Sequence, residues 1–221
     1  MILQVEQFFL DLFFPRRCVV CRNSGAWLCV DCSKKQSERF LFEPIGSEVY
    51  GLFAHEDSAA RELLYGLKYG GLYESAEVLM DVLHLACSAE DLLRALQCSK
   101  DPVVVPVPVS YSRLKSRGYN QAELLARVFA RWAGLPMNTQ ILHRRAGKTL
   151  VGQGRRLRQR AAQTAFYIGD DYVVEKNSEY ILIDDVVTTG STLKTCRKIL
   201  LDAGAARVVG VAFAYKHRFG G

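Results

Sequence analysis

Apolar and polar positions along the chain alternate between two periods. Short unbroken apolar runs at Val103-Val104-Val105 and Tyr180-Ile181-Leu182-Ile183 predict buried strands, as do Val49 to Ala54 and Arg207 to Tyr215. A weaker run, Tyr172 to Val174, predicts a short strand. Between them the period changes to that of a helix. Ala59 to Leu67 and Ala76 to Leu96 have helical spacing, the latter enough for one or two helices. Leu124, Leu125, Val128, Phe129 and Trp132 form a stripe that stops at Gly134, and Leu193, Cys196, Ile199 and Leu200 form another that stops at Gly204. Near the start, Val5, Phe8, Phe9 and Leu12 predict a helix that packs on a neighbour and stops at Pro15. Strands alternating with helices predict an α/β fold with a parallel sheet.

Two strand exits carry chemistry. The run ending at Ile183 passes into Asp184 and Asp185, then Val186 and Val187, then Thr188-Thr189-Gly190-Ser191-Thr192 at the start of a helix. A helix start has unpaired N–H groups and a positive dipole end, so small side chains there can cradle a phosphate. Two adjacent carboxylates at a strand end can accept hydrogen bonds from vicinal hydroxyls, as on a ribose ring. No glycine-lysine-hydroxyl triplet follows, which removes the Walker loop as a rival, and Gly152-Gln153-Gly154 lacks the strand and third glycine of a dinucleotide fingerprint. The other exit leaves the sheet at Pro106 and runs through Val107 and Pro108 into a polar loop with Arg113, Lys115 and Arg117. Asn120 then caps a helix, with Glu123 placed for a capping box. The prolines make a cis bond affordable, the one before Pro108 being the better candidate. Lys68, ahead of Gly70-Gly71, either reaches a phosphate or closes a helix with a favourable terminal charge.

Cys18-Val19-Val20-Cys21 and Cys29-Val30-Asp31-Cys32 are two Cys-x-x-Cys knuckles seven residues apart. They suit a four-thiolate zinc site, structural because no position is left for water; two disulfides are the competing reading. Cys87, Cys98 and Cys196 are scattered, and His55, His84, His143 and His217 show no ligand spacing and receive no role.

Composition narrows the class. The 221 residues are 49% apolar, which fits a globular domain with a small appendage and excludes general disorder. No apolar run approaches the ~18 residues that would span a bilayer. The amino-terminal stretch carries Glu6 and Asp11 and no basic leader, so a cytoplasmic chain is expected. The net charge of +6 is concentrated: Arg144 to Arg160 holds seven basic residues and no acidic one, and the rest of the chain nearly balances at 22 basic against 23 acidic. Such a segment points to a polyanion, whether a diphosphate or a nucleic acid.

Asp184 to Thr192 closely resembles the phosphoribosyl-diphosphate (PRPP) binding motif of the type I phosphoribosyltransferases. Pro106-Val107-Pro108 followed by Arg117-Gly118-Tyr119-Asn120-Gln121, the Leu67-Lys68-Tyr69 turn and the four cysteines together resemble the ComF/GntX family, some of whose members are implicated in natural transformation. The resemblance implies a type I phosphoribosyltransferase-like parallel sheet flanked by helices over residues 46–221, and a helix with a zinc-ribbon-like module over residues 1–45. It implies PRPP, carried with Mg²⁺, on Lys68, Val107, Asp184, Asp185, Val187, Thr188, Thr189, Gly190, Ser191 and Thr192. Asp184, Asp185, Arg113, Arg117 and Arg160 would then act in phosphoribosyl transfer. The glycine-containing segment Arg144 to Arg160 would be the loop that closes over the substrate, with Gln153 and Arg160 matching the family pattern; the Asn usual after that Arg is absent. The alternative implied role is a non-catalytic PRPP or nucleotide sensor that serves DNA uptake by engaging single-stranded DNA or a helicase. The basic segment has no aromatic residues to stack on bases, which counts against its binding a strand alone.

Overall fold

The computed structural model describes residues 16–40, 42–69, 73–99, 101–145 and 165–216. The amino-terminal helix, most of the basic segment including Gln153 and Arg160, and His217 lie outside them. The described chain runs α1 (Val30–Ser37), β1 (Glu43–Gly46), β2 (Val49–Ala54), α2 (Ser58–Tyr69), α3 (Glu74–Ala86), α4 (Ala89–Ala95), β3 (Val103–Pro106), α5 (Tyr111–Arg117), α6 (Gln121–Ala133), β4 (Leu142–Arg144), β5 (Phe166–Ile168), β6 (Glu179–Val187), α7 (Ser191–Asp202) and β7 (Arg207–Tyr215).

Five strands form one sheet in the order β1-β2-β7-β6-β3. β2, β7, β6 and β3 are mutually parallel, and β1 pairs antiparallel at one edge. Period-two alternation divides the buried side chains between two faces. Ile181 and Ile183 of β6, with Val209, Val211 and Phe213 of β7, join Leu63, Leu79, Leu125 and Phe129 in a core beneath α2, α3 and α6. Tyr180, Leu182, Val208 and Ala212 face the other way, onto Leu193, Cys196 and Leu200 of α7 and Phe166 of the small β4–β5 hairpin. A sheet buried on both faces needs the continuous apolar runs seen in the sequence. Toward the carboxyl ends the alternation slips: Ala214 joins Phe213 on the α2 side, and Val186 packs there while Val187 faces α7.

The cysteine knuckles are fused to this body. Cys18, Leu28 and Cys32 lie in the same core as Leu52 and Phe213. Trp27 donates to Glu74 of α3 at 2.9 Å, and Phe40 meets Phe53 edge-on. The boundary expected at residue 45 falls within β1.

Several local expectations are corrected. Tyr172 to Val174 forms no strand; the strand before β6 is Phe166–Ile168, held by pairing with Leu142–Arg144. The polar loop around Arg113 and Lys115 is a seven-residue helix, α5, closed by Gly118 with φ +81°. The acidic doublet lies within β6, because β7 supplies partners as far as Val187 opposite Tyr215. Asn120 caps α6 through the Ala122 amide at 3.1 Å, but Glu123 turns to Arg127 at 3.0 Å and completes no capping box. Every described peptide bond is trans, including that before Pro108. Lys68 and Tyr69 continue α2 and do not begin a turn.

Candidate functional site

All four parallel strands end on one edge, and the predicted site residues gather there. β3 stops at Pro106, level with Ile183, while β6 runs on to Val187. The doublet therefore projects past its neighbour on that side. Asp184 accepts the Asp185 amide at 2.9 Å, and Asp185 accepts the Val186 amide at 2.6 Å. Burial, and then the charge of Asp185, push the Asp184 carboxyl up to about 7, against the pull of the Asp185 amide and Lys68; the two carboxyls lie within hydrogen-bonding reach of each other. Lys68, in the last turn of α2, reaches across to Asp185 at 2.8 Å. Its partner is thus a carboxylate.

The bend after β6 is open. Thr188, Thr189 and Ser191 are exposed, and Gly190 takes a left-handed φ of +71° that turns the chain into α7. Gly190 offers no side chain to cap that helix, and the Thr189 hydroxyl accepts the Ser191 amide at 3.4 Å. Thr189 and Ser191 hydroxyls meet at 3.1 Å, and Val187 is buried with its carbonyl accepting the Lys216 amide at 3.1 Å. Val187, Thr188 and Thr189 border a cleft of ≈260 Å³ that Lys194 and Lys216 also line, with the Glu43 carboxylate on its β1 side. Lys194 lies along the bend, since a β-carbon on Gly190 would sit 3.7 Å from its Cε. Hydroxyls, an uncapped helix start and two ammonium groups form a setting for a phosphate.

Across the doublet, the β3 exit is tied down. Val107 is buried, donates its amide to Ile183 at 2.9 Å and accepts from the Asn120 side chain at 3.1 Å. Its amide is used by the sheet, so diphosphate contacts from this loop would come from the residues that follow. Arg117 donates to Gln121 at 2.9 Å, and Arg113 is exposed on α5. Tyr119 stacks at a tilt on Tyr73, and its hydroxyl bonds to the Leu67 carbonyl of α2, which links this loop to the helix that carries Lys68.

Sequence reasoning missed three cations here. Arg144 packs its guanidinium over Phe166 at 5.0 Å; burial and then Arg113 hold its pKa below the usual value, while Cys196 and Asp184 oppose that shift. Of the two described members of the basic segment, Arg144 and Arg145, it is the one near the doublet, brought there by the β4–β5 hairpin. Lys194 and Lys216 carried no motif signal of their own, although a lysine in the first turn of the helix after the hydroxyl bend could have been marked.

The second centre is the cysteine cluster. The Sγ atoms of Cys18, Cys21, Cys29 and Cys32 all lie within 4.8 Å of one another, with Cys21 and Cys29 at 3.7 Å, and all four are free thiols. A tetrahedral ion at about 2.3 Å from each sulfur separates them by about 3.8 Å, so the set fits a metal such as zinc. Cys18 is desolvated, yet amides of Cys21, Cys29 and Val20 lower its pKa to about 6; burial raises Cys32 to about 12. One sulfur is already favoured as thiolate. Among the described residues no helix is long and apolar enough to cross a membrane.

No family model matches the chain. Competence protein F of Haemophilus influenzae is 27% identical over 224 residues, covering 89% of this chain and 95% of that protein. The DNA utilization protein YhgH of Salmonella typhi is 33% identical over 150 residues, covering 66% of this chain and 63% of that protein. Among solved structures, adenine phosphoribosyltransferase of Leishmania tarentolae overlaps 79% of this chain and 94% of that chain at 14% identity, with a TM-score of 0.42. At that score the overlap adds nothing to the topology above. The chain is similar in sequence to competence protein F and YhgH, and has an α/β parallel sheet and a four-cysteine cluster.

Proposed function

We propose that the protein binds PRPP at the carboxyl edge of its sheet, transfers the phosphoribosyl group, and serves competence and DNA uptake in the cytoplasm. The observation that carries the reading is the acidic doublet of β6 running into an exposed hydroxyl bend at the uncapped start of α7. The 5-phosphate would lie on Thr188 to Thr192 with Lys194 and Lys216 beside it, and the ribose hydroxyls on Asp184 and Asp185. Lys68 would release Asp185 as the sugar arrives. The diphosphate would meet the loop after Val107, with Arg113 and Arg117 offsetting its charge. As the bond from the anomeric carbon to diphosphate breaks, positive charge grows on the ribose and the doublet stabilises it. Magnesium, arriving with PRPP, supplies further positive charge to the leaving group. Zinc on the four cysteines is structural, holding the knuckles against α3.

The role in DNA uptake rests on the names of competence protein F and YhgH. Calorimetry with PRPP and magnesium tests the site: wild type should bind, and Asp184→Asn/Asp185→Asn should lose most of the affinity. A wild type that takes up no heat would sink the reading.

One observation favours a second, non-catalytic reading in which PRPP is a signal and the protein an accessory to single-stranded DNA or a helicase. The helix α5 buries nothing and presents Tyr111, Arg113, Leu114 and Lys115 outward. Cations interleaved with an aromatic suit a strand. Single-strand affinity that falls steeply with salt, and weakens in Arg113→Glu/Lys115→Glu, supports it; a flat salt response removes it.

A further inference from the structure

The phosphoribosyl-transfer reading leaves the acceptor unnamed, and the sheet order bears on where an acceptor can stand. An in-line displacement needs nucleophile and leaving group on opposite sides of the anomeric carbon. The diphosphate loop leaves from β3, on one side of β6; β7 and β2 leave on the other. On that other side, between α2 and the exits of β2, β6 and β7, lies a cleft of ≈270 Å³. Its apolar lining is Leu64 and Ala214, both buried, with Val186 adjoining Asp185; the largely exposed Tyr65 ring, His55, Arg61 and Lys68 complete it. No acidic side chain lines it.

Building on that reading, we propose that this cleft receives the phosphoribosyl acceptor, and that the acceptor is a planar ring bearing an anionic group such as a carboxylate. The size and the apolar floor of Leu64, Val186 and Ala214 suit a single planar ring. The charge follows from the cations. Lys68 is engaged with Asp185, whereas Arg61 forms no ion pair with a described residue and can meet a carboxylate with a paired, charge-assisted contact. A neutral ring would keep the apolar contacts and lose that charged one.

His55 supplies the remaining chemistry. Its amide donates to the Tyr215 carbonyl at 2.7 Å, which fixes it at the end of β7. Burial, then Lys216, Arg61 and Lys68, favour its neutral form, with Glu56 opposing. A neutral imidazole can accept a proton. In the transfer, the acceptor nitrogen forms its bond to the anomeric carbon, the carbon–oxygen bond to diphosphate breaks with its electron pair leaving on the diphosphate, and the proton of the acceptor nitrogen passes to His55.

A matched pair of probes tests this. The full-length protein is titrated with 2-aminobenzoate and with its neutral amide, 2-aminobenzamide, with and without PRPP and magnesium, and PRPP is titrated separately. The carboxylate should bind about 10-fold more tightly than the amide, and Arg61→Gln should bring the two to parity. Because Arg61 is exposed and outside the PRPP contacts, the variant should keep PRPP affinity within about twofold and leave the circular dichroism unchanged. Equal binding of the two probes, binding of neither, or a preference that survives Arg61→Gln overturns the proposal. Intact PRPP binding alongside any of these overturns only the acceptor assignment; absent PRPP binding overturns the transfer reading and the acceptor with it.

Discussion

The chain places two strand-to-helix exits side by side. β3 and β6 are parallel neighbours paired from Val103 opposite Tyr180 to Pro106 opposite Ile183; β6 leads directly to α7, whereas β3 reaches α6 by way of the short helix α5. At α6, Asn120 closes the helix start, accepting the Ala122 amide and donating to the Val107 carbonyl. At α7, Gly190 turns the chain and has no side chain to close the start; the Thr189 hydroxyl accepts the Ser191 amide there at a long 3.4 Å. The first helix start is held by its own cap residue; the second is left more open. A strand followed by a helix therefore does not by itself make an anion site, and the residue at the cap decides.

The largest effect should come from filling the open start. Ser191→Glu places a carboxylate at the first position of α7, where it favours the helix by about 0.5 kcal/mol but repels a phosphate. PRPP affinity by calorimetry should fall more than ~100-fold while the melting temperature holds or rises. A variant that keeps its affinity would mean that the α7 start is not the phosphate seat.

Next in size is Asp184→Asn. The carboxyl titrates near 7 in the fold against 3.8 as its ordinary value, so ionising it costs stability. Below about pH 4 it is protonated folded or unfolded and no cost exists; the cost grows as pH rises toward 7 and is constant above. Asn should therefore stabilise the protein at pH 8, by at most about 4 kcal/mol, a gain that disappears toward pH 4, as read from urea melts. A gain independent of pH would contradict the strained carboxylate. Asn120→Ala, at the closed start, should cost about 1–2 kcal/mol in the same melts and change PRPP affinity far less than Ser191→Glu does. Smallest is Glu123→Ala, which removes an exposed pair with Arg127 and should cost no more than about 0.5 kcal/mol. A larger loss would show that a capping box forms in solution after all.

What could be read in the sequence was what local pattern fixes. Val49 to Ala54 and Arg207 to Tyr215 stand as strands because uninterrupted apolar runs have nowhere to go but a doubly covered sheet. Gly134 ends α6 in the left-handed conformation its position suggested. The four-cysteine cluster followed from spacing, since two knuckles can present four sulfurs to one point. The misses involve partners distant in sequence. Tyr172 to Val174 has strand composition but no strand beside it, while Phe166 to Ile168 has Leu142 to Arg144. The helix α5 carries no apolar stripe because it buries no side chain, so its period gave no signal. Lys68 meeting Asp185, and Arg144 brought near Asp184, depend on α2 and the hairpin docking at the same edge. No window of neighbouring residues contains that information.

The Lys68–Asp185 contact has a bearing on which ligands succeed. A newcomer does not simply add itself to a vacant carboxylate; it exchanges with an ammonium already seated there. A ligand that brings its own counter-charge can leave that account balanced, whereas a bare sugar cannot. Selection for metal-laden phosphosugars over their uncharged cousins would then begin at the doorway, before any bond is broken.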